Sequence, residues 1–196
     1  MNGLEIMLLV GGAPLVVGGL IYAWWAHPHA RFTTVSAGRL FHSGAMPPAQ
    51  LLRVVRKRRI DTVVDFRSGQ DPAVEAERSA LATAGVRHMH LPTGIYPTAG
   101  EIDAFVEFIA TGTRPGDRIL MHCEDGEGRA VMFGAIYRMQ FEGWEPRAAY
   151  LASARLPDSL RFLGRIIPGA GCLSSRNVKT GLILNYRRRV DLEART

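Results

Sequence analysis

At 196 residues with 47% hydrophobic side chains, the chain has enough apolar material for a packed core and too much for a disordered one. A net charge of +6 favours anionic partners, but the basic runs at residues 53–59 and 187–189 come without a zinc-finger, aromatic RNA-binding or helix-turn-helix pattern, so no nucleic-acid partner is expected. Two cysteines, Cys123 and Cys172, do not make a disulfide framework.

Residues 6–26 carry no charge. As a helix, a run of that length spans about 30 Å, the thickness of a bilayer core. Tyr22, Trp24 and Trp25 lie at its end, where aromatic rings favour the membrane interface. Pro14 and two glycine pairs are tolerated in transmembrane helices. A cleaved signal peptide is the rival reading, but the segment before the run holds Glu5 and no Lys or Arg. Residues 1–27 are therefore expected to be a single-pass anchor. Arg31 and Arg39 follow it, so the positive-inside bias puts the rest in the cytoplasm, a reducing place for a free thiol.

Residues 28–38 read as a linker and first strand, 39–172 as one folded domain and 173–196 as a basic tail. Within the domain, strands are expected at 32–35, 39–42, 62–66, 87–91 and 118–121. Helices are expected at 47–58, 72–84, 98–111, 130–141, 146–154 and 157–166, with 178–190 a further candidate. On the helix at 98–111, Ile102, Phe105, Val106 and Ile109 recur on one face. Strands alternating with helices imply an α/β fold, a central mostly parallel sheet flanked by helices.

The chemistry concentrates in His122-Cys123-Glu124-Asp125-Gly126-Glu127-Gly128-Arg129. The stretch lies between an apolar strand and a helix. Cleaving a phosphate monoester needs an anionic nucleophile, donors around the phosphate oxygens and a fixed cation. A thiol at the start of a strand-loop-helix turn is stabilised as thiolate by backbone N–H groups and the helix dipole. The N–H groups of Glu124 through Gly128 can form an anion nest, and Gly126 and Gly128 permit its curvature. Arg129, six residues after Cys123, supplies a planar two-toothed clamp.

This HC-x-x-G-x-x-R stretch resembles the signature of the cysteine-dependent protein tyrosine phosphatase superfamily. Leu40-Phe41-His42-Ser43-Gly44, the run Ile60 to Arg67 and Gly143-Trp144-Glu145-Pro146 resemble the atypical dual-specificity phosphatases within it. The resemblance implies attack by Cys123 on phosphorus, a thiophosphate intermediate, charge held by Arg129 and the loop N–H groups, and no metal or cofactor.

The sequence also departs from that family. Relatives take a general-acid Asp from a loop about thirty residues before the cysteine, and residues 92–100 contain no acid. Asp125, in a Cys-x-Asp-Gly arrangement similar to that of myotubularin-type lipid phosphatases, is the preferred acid, the alternative being that the loop carboxylates point to solvent and neither serves. Glu127 is second and Asp71 third. Ala130 stands where many relatives carry a hydroxyl that helps the thiolate leave, which implies slow turnover. Glu124, Asp125 and Glu127 would repel a polyphosphorylated ligand, so a substrate with one phosphate is favoured. His122 reads as a structural hydrogen-bonding group and Arg67 as a supporting salt bridge. His88 and His90 alternate on a strand without a metal set, and Trp144 reads as core. A membrane-anchored phosphatase of phosphorylated proteins is expected, with a phospholipid phosphatase or a low-activity phosphate-binding protein as alternatives.

Overall fold

A computed structural model describes residues 16, 18–19, 32–69, 72–126, 128–153 and 181–188. The expected anchor at 6–26 lies almost wholly outside them, and among the described residues no helix is long and apolar enough to cross a membrane. Asp71, Glu127, Cys172, the expected helix at 157–166 and most of the basic tail also lie outside them.

The elements run β1 (Thr33–Ser36), β2 (Leu40–Gly44), α1 (Pro48–Arg58), β3 (Thr62–Asp65), α2 (Pro72–Thr83), β4 (Arg87–His90), α3 (Ala99–Gly112), β5 (Ile119–Cys123), α4 (Arg129–Phe141) and α5 (Pro146–Ser153). One five-stranded sheet has the order β1-β2-β5-β3-β4. β1 is antiparallel to β2, while β2, β5, β3 and β4 are mutually parallel, as alternating strands and helices demand.

Side chains alternate across the sheet and feed two cores. Leu40, Val64, Ile119, Met121 and Cys123 join α3 and α4 on one face. Phe41, Val63 and Leu120 join Leu51 and Val55 of α1 and Leu81 of α2 on the other. The odd–even parity of β5 thus sends Cys123 to the α4 side and His122 to the α2 side. α4 is buried almost all round, from Ala130 to Gln140, because α3, α5 and residues 181–188 close over it. Phe66 stacks on Phe133 at 4.2 Å between ring centroids, and both rings contact Phe105.

Helix ends follow local chemistry. Thr98 caps α3 in a reciprocal box with Glu101, each bonding the other's backbone N–H. α1 ends with the Ile60 N–H donating to the Val55 carbonyl, which forces Arg59 to φ 53°. Arg59 is the one non-glycine with positive φ among the described residues. That conformation costs an L-residue about 1–2 kcal/mol. Arg59→Gly is therefore expected to stabilise the fold by about 0.5–1 kcal/mol after the added chain entropy, read from urea unfolding.

Trp144 is not core as expected. It is 41% exposed, and the buried Arg138 guanidinium lies 5.1 Å from its ring. Arg138 donates to the Val35 carbonyl and the Ser153 hydroxyl, so the cation takes the interior position and the indole covers it from outside.

Candidate active site

β5 is the central strand, and its C-terminal end carries Cys123 level with Gly44 of β2. Residues 124–126 fold back against that end of β2: the Ala45 N–H donates to the Glu124 carbonyl at 2.9 Å. Gly126 adopts φ 73°, and a Cβ there would lie 2.6 Å from the Ser43 carbonyl carbon and 2.7 Å from its oxygen. Gly126 therefore meets both demands at once, a left-handed turn and backbone against backbone. Gly128 takes φ −105° at the start of α4, so its φ stays negative.

The Gly126 N–H donates to Cys123 Sγ at 3.3 Å, the contact expected of a nest around a thiolate. Cys123 is 2% exposed, so the sulfur lies at the floor of the loop. Arg129 begins α4 and is half-buried. Its NH1 donates to the Phe66 carbonyl at 2.6 Å and the Thr93 carbonyl at 3.1 Å. Two carbonyls on one terminal nitrogen fix the plane of the guanidinium; Nε and the other terminal nitrogen make no hydrogen bond to a described residue. The 92–98 segment thus touches the site through Thr93. It offers no acid, and Glu101 behind it is occupied in capping Thr98 and the Gly94 N–H. Glu124 and Asp125 are exposed on the loop, and Ala130 is fully buried beneath it.

Behind the loop, on the α2 side of the sheet, lies a buried polar cluster. Arg67 makes a two-pronged bond to Asp65 and reaches Glu77 Oε2 at 2.7 Å. Glu77 Oε1 bonds His122 Nε2 at 2.7 Å, with His88 Nε2 3.5 Å away. His90 bonds the Arg67 carbonyl. Asp65, Glu77 and His122 stand close enough together to hold a metal ion. The Arg67 guanidinium already lies 2.7–2.8 Å from both carboxylates and is itself the cation of the cluster. Arg67, 5% exposed and turned into this cluster, supports the loop from behind and is not at the substrate side.

Burial by itself pushes the Glu77 carboxyl up, but the bond from His122, the His88 ring 3.5 Å away and the charges of His122 and Arg67 outweigh it and hold the group at about 2, against an ordinary 4.5. A depressed folded-state value stabilises the fold above pH 4.5 and loses that contribution as pH falls through 2. Acid titration of the folded state, followed by circular dichroism, is expected to show a stability loss of a few kcal/mol in that window, and Glu77→Gln is expected to flatten it.

Of the residues singled out in the sequence, the structure brings Cys123, Gly126 and Arg129 into one strand-loop-helix unit and sets His122 and Arg67 behind it, in a cluster with Glu77, Asp65 and His88 that the sequence reading missed. The signal for Glu77 was present: Val74, Glu77 and Leu81 share one face of α2, and an acid on an apolar stripe needs a buried partner.

Fold and site together resemble the cysteine-dependent phosphatases of the tyrosine and dual-specificity class. Residues 37–140 match the family described as polymorphic toxin system, DSP-PTPase phosphatase, and the chain belongs to that family. Dual specificity protein phosphatase TpbA of Pseudomonas aeruginosa is 31% identical over 109 residues, 55% of this chain and 47% of that protein. The chain thus spans about half the length of the curated relatives it matches. The fold is shared with the crystal structure of P. aeruginosa TpbA (TM-score 0.52, 22% identity, 81% of this chain and 91% of that one). It is shared also with the core catalytic domain of a PP-IP phosphatase from S. cerevisiae (TM-score 0.59, 14% identity, 80% and 85%).

Proposed function

We propose that this chain hydrolyses phosphate monoesters through a phosphocysteine intermediate, with aryl phosphates such as phosphotyrosine preferred. The observation that carries the reading is the Gly126 N–H on Cys123 Sγ with Arg129 braced at the start of α4 in the same strand-loop-helix unit. The thiolate attacks phosphorus, the bond from phosphorus to the leaving oxygen breaks, and the loop N–H groups with Arg129 hold the charge on the remaining oxygens. Water then attacks phosphorus, the S–P bond breaks, and inorganic phosphate leaves. The aryl preference follows from the missing acid. A phenolate, with a parent pKa of about 10, departs with little help, whereas an alkoxide must be protonated as it leaves. The relative TpbA has also been solved in complex with pTyr, which supports the same class of substrate here. Asp125, exposed on the loop, is the proposed donor for the poorer leaving groups.

The proposal includes a single-pass anchor at residues 6–26 with the domain on the cytoplasmic face. A phospholipid substrate is the second reading; its support is the run of exposed cations at Arg53, Arg56, Lys57, Arg58 and Arg59, suited to an anionic lipid surface.

Purified full chain would be given p-nitrophenyl phosphate, phosphotyrosine and phosphoserine peptides, and phosphatidylinositol phosphate vesicles. Turnover of the two aryl substrates above the others is expected. Asp125→Asn should reduce phosphoserine turnover more than p-nitrophenyl phosphate turnover. Because Sγ lies at the floor of the loop, iodoacetate must reach it, and inorganic phosphate must protect it. Turnover of vesicles alone would favour the lipid reading, and absence of all turnover would leave a phosphate-binding role, which Ala130 would explain. Retention in the membrane pellet after alkaline carbonate washing tests the anchor.

A further inference from the structure

We propose that Glu77, on α2 and outside the loop, is the positioning residue that holds the nucleophile and the arginine clamp in one geometry. The inference rests on the phosphatase reading for the meaning of that geometry, though not for its measurement.

One carboxylate has two oxygens, and here each holds a different half of the site. Oε1 bonds His122, the residue directly before Cys123 on β5. Oε2 bonds Arg67, which binds Asp65 through Nε and NH2 while the Arg67 N–H donates to Asp65 Oδ1. That closed ring pins residues 65 to 67. The carbonyl in its middle, that of Phe66, is the acceptor of Arg129 NH1 at 2.6 Å. The path from Glu77 to Cys123 is thus one bond and one residue, and the path to Arg129 is two side chains and one carbonyl.

Among the described residues, the surroundings leave no substitute for this carboxylate. His88 and His90 face the cluster from β4, Asp65 from β3, His122 from β5, and Arg67 from the loop after β3, with Glu124 acting on Arg67 through its charge. Asp65 lies 3.9 Å from His122 Nδ1, too far for a hydrogen bond, so Glu77 alone bonds the histidine and the arginine together. Asp65, Arg67, Glu77 and His122, at 0–5% exposure, cannot recruit bulk water in its place.

Two variants test this in the full chain. Glu77→Gln keeps the volume and removes the charge. Glu77→Asp keeps the charge, and thus the neutralising partner of Arg67, but is one methylene too short to reach both groups. Glu75→Gln, on the exposed side of the same helix, is the control. The readouts, per folded molecule, are the second-order rate of Cys123 alkylation by iodoacetate, the phosphate concentration that half-protects it, and kcat with p-nitrophenyl phosphate. Misplacement of reacting groups by about 1 Å costs on the order of 10²-fold. Both variants are therefore expected to lower kcat by about 10²-fold and to raise the protecting phosphate concentration at least tenfold, with the control unchanged. A merely structural role would lower the melting temperature and leave the folded molecules reacting as wild type. That result in Glu77→Asp, which retains the charge balance and so folds even where the Gln variant does not, would overturn the proposal. If wild type shows no turnover the phosphatase reading falls, yet alkylation and protection still decide the role of Glu77.

Discussion

Cys123→Ser is expected to lose turnover of p-nitrophenyl phosphate by about 10⁴-fold or more while folding as wild type. The substitution is nearly isosteric, and the 2% exposed site needs no rearrangement to take an oxygen for a sulfur. The chemistry changes completely. A thiol ionises near pH 8.5 in the absence of any help, whereas a serine hydroxyl has no anionic form to offer near neutral pH. Among the described residues, the hydrogen bond to the sulfur comes from a donor, the Gly126 N–H, which stabilises an anion and cannot take a proton from a hydroxyl. Phosphate should still bind the variant, since the loop N–H groups and Arg129 remain. Steady-state kinetics with calorimetric titration of phosphate measures both, and a Ser variant within tenfold of wild type would exclude covalent catalysis by this residue.

Arg129→Lys is expected to lower kcat/KM by about 10²–10³-fold, nearly as much as Arg129→Ala. Both variants keep α4, since the position is its half-buried first residue. Lysine keeps the charge, so a loss of that size would show that planarity matters and not charge alone. In this fold the guanidinium is held at one corner by the Phe66 and Thr93 carbonyls, which aims its other edge. An ammonium group placed between those carbonyls would satisfy them and have no second edge to present to phosphate. Comparison of the Lys and Ala variants by kcat/KM and by phosphate inhibition separates these effects. A Lys variant at wild-type rate would reduce Arg129 to a simple counter-charge.

Much of the architecture was legible because local rules and the tertiary structure agree. The strand at 118–121 extends to Cys123, and the helix that follows begins at Arg129, one residue before its expected start. α3 buries Ile102, Phe105, Val106 and Ile109, the stripe that its spacing announced. Where the expectation failed, the cause was nonlocal. Trp144 looked like core because it is large and apolar, but Arg138, reaching Val35 a hundred residues away, had taken the space. His88 and His90 looked like an unattached pair because their partners, Glu77 and the Arg67 carbonyl, lie on other elements.

By itself, the order of residues determined the class of this protein: a cysteine and an arginine six positions apart between an apolar strand and a helix, with glycine between them for the turn. Such features act within about ten residues, where covalent geometry limits what the backbone can do. The tertiary structure alone decided which groups brace that loop. Strand order set β5 between β2 and β3, so the Gly44 end backs Gly126 and the Phe66 carbonyl meets Arg129. The parity of side chains across the sheet then put His122 with Glu77 and Cys123 with α4, and no spacing in the chain encodes a contact between positions 45 residues apart.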